Sequence, residues 1–301
     1  MSLYFKHSPK HDAPRYQTVG GHTGDLLTIG NDAKTVKGDK QGISTAILYL
    51  APALNLQRAI DSGDYVARDG LTRRYRTLCS DVTPGCESGC LYKAGRGRFA
   101  QVENGRLRKS EAFQCERLDF IACLSFEIGR HVDRSVADGF LPVVRLNGTA
   151  DVVWETVAPS LFLLHPDATF YDYTKTATRI GRYAAGLMPE NYHLTYSVSE
   201  RSGSLQFGAD YARSGGVSAV VVHGGIDAVR ATVPHDACPD FTDGDATDAR
   251  FLESGSMAIL SPKGPAKKDT SGFVFDASDF ADATARESVP LSRVRPMVRT
   301  N

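Results

Sequence analysis

The 301-residue chain has one tryptophan, four methionines and no net charge, with 35 basic side chains against 35 acidic ones. That balance excludes a whole-chain field that would draw in nucleic acid or a membrane, and leaves only local patches to do so. No apolar run approaches the roughly 18 residues that a bilayer span needs. The amino terminus has no charged-then-apolar leader. These absences predict a cytoplasmic protein with no membrane partner. No internal repeat is visible, and no glycine fingerprint of a dinucleotide fold follows the first strand. Six cysteines do not make a disulfide scaffold in a chain of this size, and a reducing compartment favours metal ligation over bridges.

What the chain does have is order along its length. Residues 1–24 are polar, contain proline and lack periodicity, which marks a flexible arm. Residues 277–301 read as a polar tail, and residues 25–276 as a single domain between them. Leu26–Gly30 and Ala46–Leu50 are short apolar runs of strand length joined by a polar, lysine-rich connection. A helix around Leu54–Ser62 precedes a cysteine loop at residues 79–99. The spacing of Phe113, Phe120, Leu124 and Ile128 then predicts one helix over about 104–138, closed by Gly139.

Beyond Gly139, strands are predicted at Leu141–Leu146, Thr169–Thr174, His193–Ser199, Val217–Gly224, Ala231–His235 and Ser256–Ser261. Helices fall near Val157–Leu164, Ala177–Leu187 and Ser204–Ser214. Near-continuous apolar strands alternating with helices predict an α/β fold, a parallel sheet covered by helices. With seven or eight strands, the fitting architecture is a (β/α) barrel, full or partly open.

Cys79, Cys86 and Cys90 stand with six and three residues between them. Pro84, Gly85 and Gly89 break a helix there, so the thiols sit on a tight loop that can turn them toward one point. Three convergent thiolates suit a soft metal centre, with a fourth ligand from elsewhere or one position open. The residues alone leave three readings: an iron–sulfur cluster, zinc with a distant fourth ligand, or three unrelated thiols. Cys238, in the loop HDACPD, is a candidate for that fourth ligand. Cys115 and Cys123, two helical turns apart among phenylalanines, read as buried thiols.

Directly after the cysteines, Gly95-Arg96-Gly97-Arg98 combines glycines, which let a backbone approach a ligand, with arginines, which fork onto phosphates or carboxylates. Arg106, Arg108 and Lys109 extend this into a basic patch; the plainer reading is a solvated loop capping a helix.

In a parallel barrel, functional residues gather at the carboxyl ends of the strands. Here those ends run into Asn147-Gly148-Thr149-Ala150-Asp151, Thr174-Lys175, Glu200, His223, His235, and Lys263, Lys267, Lys268 and Asp269. Loops are polar anyway, but the repetition predicts a shared polar cavity. Asp243–Asp248 has the carboxylates of a calcium loop without its twelve-residue spacing or terminal glutamate, and reads as a turn capped by aspartates. Asn147-Gly148-Thr149 matches a glycosylation sequon, which has no role in a cytosolic chain.

Four features in order on successive strands carry a resemblance: the three-cysteine loop, Asn147 with Asp151, Thr174-Lys175 with Arg179, and Ser197–Glu200. Together they resemble the phage three-cysteine-motif proteins, radical-SAM-like proteins of bacteriophages and bacteria with unassigned substrates. The resemblance covers about Leu26 to Phe275. It implies a TIM-barrel-like fold in which Cys79, Cys86 and Cys90 hold a 4Fe–4S cluster whose fourth iron binds S-adenosylmethionine. It also implies that Lys175, Glu200 and Asp151 serve catalysis, and that Asn147, Gly148, Thr149 and Ser197 surround the cofactor. The Thr-Lys strand end is similar to that of spore photoproduct lyases, which work on DNA thymines. Two features depart from the radical-SAM pattern. The usual cysteine gaps are three and two residues, and no Gly-Gly-Glu follows the next strand, where Asn147-Gly148-Thr149 stands instead.

The expectation is therefore a phage-encoded iron–sulfur enzyme of the host cytoplasm. It would act on a nucleotide or nucleic-acid-related substrate through a 5′-deoxyadenosyl radical, with Arg96, Arg98, Lys267 and Lys268 meeting phosphates. The rival is a non-catalytic, metal-stabilised binding module that engages a host factor or nucleic acid. A third reading is acid–base chemistry around His223 or His235 without a metal.

Overall fold

The computed structural model describes residues 25–30, 38, 41–68, 74–234 and 239–280. The amino-terminal arm, His235, Cys238 and the tail from 281 onward lie outside the described residues.

Eight strands form one sheet: β1 (Leu27–Ile29), β2 (Ile43–Leu48), β3 (Leu141–Arg145), β4 (Thr169–Thr174), β5 (Tyr192–Ser197), β6 (Val217–Val221), β7 (Asp240–Asp243) and β8 (Ser256–Leu260). Their order across the sheet is β1-β2-β3-β4-β5-β6-β8-β7, parallel throughout except for the antiparallel pair β1–β2. The fold is thus mixed α/β with a mostly parallel sheet. A closed barrel is not formed: β1 and β7 are two edges, of three and four residues, and they do not pair.

From β2 to β6 each new strand lies beside the last. Crossovers of one hand then put the intervening helices on one face of the sheet. The main core lies on that face, where Leu48, Val144, Phe170, Leu194, Val220 and Ile259 meet the apolar stripes of the helices. Alternate residues turn to the other face, where Ile43, Val143 and Tyr171 meet Ala249 and Phe251 from the β7–β8 connection. This connection crosses the inner face back to the first strands, and its Thr247 hydroxyl donates to the side-chain carbonyl of Gln41 at 3.1 Å.

After α1 (Asn55–Asp61) and α2 (Pro84–Ser88), the predicted helix over 104–138 is two helices, α3 (Ala100–Cys115) and α4 (Arg117–Ala137), broken at Glu116. Phe120, Leu124, Ile128 and Val132 recur every four residues and make the buried stripe of α4. Seven residues along a straight helix are about 10.5 Å apart, yet the Phe113 and Phe120 rings meet edge-on with centroids 5.4 Å apart. The bend lets both rings enter one core. It also separates the two cysteines expected on one helix: Cys123 is buried, and the half-buried Cys115 lies against the Tyr75 hydroxyl.

Ala231 and Thr232, expected in a strand, instead end a helix at Gly225–Thr232. Val229 and Val233 bury one face of this segment at helical spacing. The strand that follows is β7, DFTD, which strand patterning missed because its one apolar residue is Phe241. Phe241 packs edge-on against Phe280. The packed part of the chain runs into the predicted tail, since Phe280 is fully buried.

Candidate functional site

The cysteine loop leaves the carboxyl end of β2 and returns through α3. Its anchor is a parallel bridge between Cys79 and Asp151, with the Asp151 N–H donating to the Leu78 carbonyl at 2.9 Å. Thr83 caps the short helix Pro84–Ser88, accepting the Cys86 N–H on its hydroxyl at 3.3 Å, with Pro84 in the first turn where no N–H is needed. Glu200 then clamps this helix from the end of β5. It accepts the Gly85 N–H at 2.7 Å and the Thr83 hydroxyl at 2.7 Å. No side chain fits at Gly85, where a Cβ would fall 2.1 Å from Ser271 Oγ and 2.7 Å from the Phe273 Cβ.

Cys79, Cys86 and Cys90 are all partly buried and line one cavity of about 920 Å³. Burial pushes the Cys79 thiol up to about 12, and the negative charges of Asp151, Cys90 and Cys86 add to that. Burial likewise raises the Cys90 thiol, against a backbone N–H from Tyr92 that lowers it. Lys175 stands among these sulfurs. Its ammonium donates to Ser197 Oγ at 2.8 Å and lies 5.4 Å from the Phe273 ring centre. Burial alone would lower its pKa, but Cys86, Asp151 and Cys79 hold it above the ordinary lysine value.

Among the described residues, no three His, Cys, Asp or Glu side chains are gathered so as to hold one metal ion. One zinc ion asks for sulfurs roughly 4 Å apart. A cuboidal cluster gives each thiolate its own iron and spaces the sulfurs at roughly 6–7 Å. Cys79, Cys86 and Cys90 are half-buried on one cavity, a set of three thiolate donors of the kind a soft metal centre takes.

The cavity also takes Asn147, Gly148, Thr149, Asp151, Lys175 and Ser197, so most of the predicted strand-end residues do meet the cysteines in one space. Several of them, however, are already engaged in building that space. The Asn147 side chain donates to the Val152 carbonyl at 3.0 Å and to Asp172 Oδ2 at 3.2 Å. Its oxygen accepts the Val152 N–H at 2.9 Å and the Trp154 indole N–H at 3.1 Å. Asn147 therefore closes its own loop. Gly148 stands where a Cβ would come 2.7 Å from the Leu48 carbonyl, and the Thr149 hydroxyl donates to the Leu50 carbonyl at 2.6 Å.

Asp151 accepts the Thr174 hydroxyl at 3.0 Å, the Lys175 N–H at 3.1 Å and the Arg179 guanidinium at 2.6 Å. Arg179 is also held by two bonds to Glu155, at 2.8 and 2.9 Å. Burial raises the Asp151 carboxyl's pKa, and Arg179 works against it.

Glu200, Arg96, Arg98, Lys267 and Lys268 are not in the cavity lining. Glu200 serves the cysteine loop instead, and the four basic side chains are exposed on neighbouring segments, where Gly264 packs against Ala94. The basic patch does not continue as expected through Lys109 and Arg106. Lys109 is buried and donates to the Leu26 carbonyl at 2.6 Å, and Arg106 stacks on the Tyr49 and Tyr92 rings. The aspartate turn is as expected, with Asp243 accepting the Asp245 N–H at 2.9 Å.

Arg145 and Tyr173, which also line the cavity, are not among the sequence-predicted site residues, and Asp248, expected only as the end of a capped turn, lines it with them. Arg145 ion-pairs with Asp248 at 2.9 Å and lies 4.6 Å from the Tyr173 ring centre. The available signal was a charged residue ending the apolar run LPVVR.

Comparison with known proteins gives one family: the model for GP88, Gene product 88, matches residues 26–277. No curated protein and no solved structure matches this chain.

Proposed function

We propose that this chain, which belongs to the Gene product 88 family, is a radical-SAM-like iron–sulfur protein acting on a nucleotide or nucleic-acid-related substrate. In this reading the open sheet is a partly open relative of the (β/α) barrel, and phage origin goes with the resemblance of its motifs. The observation that carries the proposal is the shared cavity: Cys79, Cys86 and Cys90 line it together with the carboxyl ends of the parallel strands. When bound there, a reduced 4Fe–4S cluster would supply an electron to S-adenosylmethionine, releasing methionine and the 5′-deoxyadenosyl radical that takes a hydrogen atom from substrate.

This chain's own residues do the holding. Cys79, Cys86 and Cys90 would be the ligands, on a loop fixed by Glu200 and by the Cys79–Asp151 bridge. Lys175, anchored by Ser197, brings a positive charge to the thiolates and to any carboxylate or phosphate beside them, in surroundings where water is scarce. Arg145 and Asp248 bring an ion pair to the same cavity, with the Tyr173 ring beside the Arg145 guanidinium.

The engagement of Asn147, Thr149 and Glu200 in loop architecture favours a second reading, a metal-stabilised binding module without catalysis. Anaerobic reconstitution with iron and sulfide separates the readings. The enzyme turns brown, absorbs broadly at about 400 nm and forms 5′-deoxyadenosine from S-adenosylmethionine and a reductant. The binding module takes up metal and forms none. A colourless protein that retains no iron removes the cluster altogether.

A further inference from the structure

A second hollow, of about 640 Å³, lies behind the cysteine loop. Its walls carry Arg74, Arg76 and Arg117, and its apolar floor includes Leu78, Phe113 and Val152. All three arginines are exposed, and among the described residues no carboxylate is ion-paired with any of them. Acids on the neighbouring segments are used elsewhere: Glu116 pairs with Arg68 at 2.7 Å, Glu111 accepts the Tyr65 hydroxyl at 2.6 Å, and Asp151 pairs with Arg179 at 2.6 Å.

The groove is also built. Gln114 clamps the strand-like segment that carries Arg76, accepting its N–H at 2.8 Å and donating to its carbonyl at 3.3 Å. Arg117 is held over the Phe113 ring at 5.0 Å. Three guanidinium groups that pair with no carboxylate among the described residues, on a protein of zero net charge, point to an anion site.

The hollow is far larger than a phosphate ion, and its apolar floor offers a free phosphate nothing. Arginines above an apolar floor suit a phosphodiester chain with sugars and bases attached. The groove and the thiol-lined cavity have one lining residue in common. Asp151 lines both, and the Cys79–Asp151 bridge divides them.

We infer that Arg74, Arg76 and Arg117 bind the backbone of a single-stranded polynucleotide lying in this groove, next to the thiol-lined cavity. The nucleic-acid class rests on the function proposed above, but the groove needs no cluster to bind.

The test uses the full chain, purified without reconstitution, and a fluorescently labelled single-stranded 12-nucleotide oligomer, about that length to span both hollows. Anisotropy titrations over a salt series should show binding that weakens with salt, with a logarithmic slope of about −0.7 for each phosphate engaged, so about −2 for three. The combined variant Arg74→Gln/Arg76→Gln/Arg117→Gln, with its fold checked by circular dichroism, should bind at least tenfold more weakly and lose most of that slope. Single Arg117→Gln should show an intermediate loss, which guards against misfolding of the triple variant. The inference is overturned if the wild type does not bind the oligomer, or if the variants keep its affinity and slope. It is overturned too if inorganic phosphate competes as strongly per mole as the oligomer. Because the protein is cluster-free, failure of the radical reading would leave the binding result standing, and loss of oligomer binding would not touch 5′-deoxyadenosine formation.

Discussion

Glu200 and Gly85 are 115 positions apart in the chain, and the Glu200 carboxylate accepts the Gly85 N–H at 2.7 Å. Its second oxygen takes the Thr83 hydroxyl at 2.7 Å, so one carboxylate at the end of β5 holds the first turn of the helix that presents Cys86. Glu200→Ala removes the acceptor for two donors in a confined place and should cost about 1–3 kcal/mol. The same variant should retain less iron after gel filtration of reconstituted protein. Unchanged urea stability and unchanged iron content would show that the loop holds itself.

Arg179 faces two buried carboxylates, Asp151 and Glu155, at 2.6 and 2.8 Å. Arg179→Met leaves both without their cation, and breaking a buried pair by removing one partner costs about 3–5 kcal/mol. Adding Glu155→Gln should recover part of that loss, since one of the stranded charges is then gone. Equilibrium denaturation of the single and double variants checks this, and a double variant no more stable than Arg179→Met would mean that Glu155 does not need its charge balanced.

Asp172 gives a pH signature. Burial raises its carboxyl pKa to about 7, although the Asn147 N–H and the Tyr192 hydroxyl pull it back down. The unfolded carboxyl releases its proton near pH 4, so between about 4 and 7 the folded state holds a proton that the unfolded state has lost. Stability from this group therefore falls as pH rises through that window and levels off above it. Asp172→Asn, with no proton to release, should show a flatter dependence between pH 5 and pH 8 in denaturant titrations, whatever its absolute stability. Equal slopes for the two proteins would place the Asp172 pKa in the ordinary range.

Lys175 donates to Ser197 Oγ at 2.8 Å and lines one cavity with Cys79, Cys86 and Cys90. Lys175→Ala should weaken binding of S-adenosylmethionine or of a nucleotide about tenfold or more, the loss expected for one charge-assisted hydrogen bond. Iron content should stay near that of the wild type. Calorimetric titration with iron quantified in parallel tests this, and unchanged affinity for every ligand the wild type binds would remove Lys175 from the site.

The sequence by itself determined the α/β character and most of the strands, because runs such as TFYDYT and SMAIL are apolar enough to be strands wherever they pack. It also determined that the cysteine loop and the strand-end residues would share a space, because parallel strands joined by crossovers all point their carboxyl ends one way. Tertiary structure decided the rest. Whether eight strands close depends on whether the two edges meet, and here β1 and β7 do not pair while the β7–β8 connection packs on Ile43, Val143 and Tyr171, contacts no local pattern encodes. DFTD is a strand only because β8 and Phe280 are beside it. The bend at Glu116 exists because Phe113 and Phe120 both reach one core. Residue type alone did not separate the ligand-facing groups from the structural ones. Asn147, Glu200 and Lys175 are all polar strand-end residues, yet the first closes its own loop and the second clamps a distant helix. Only Lys175 sends its charge among the thiols, because hydrogen-bond partners far apart in sequence decide how each polar group is satisfied.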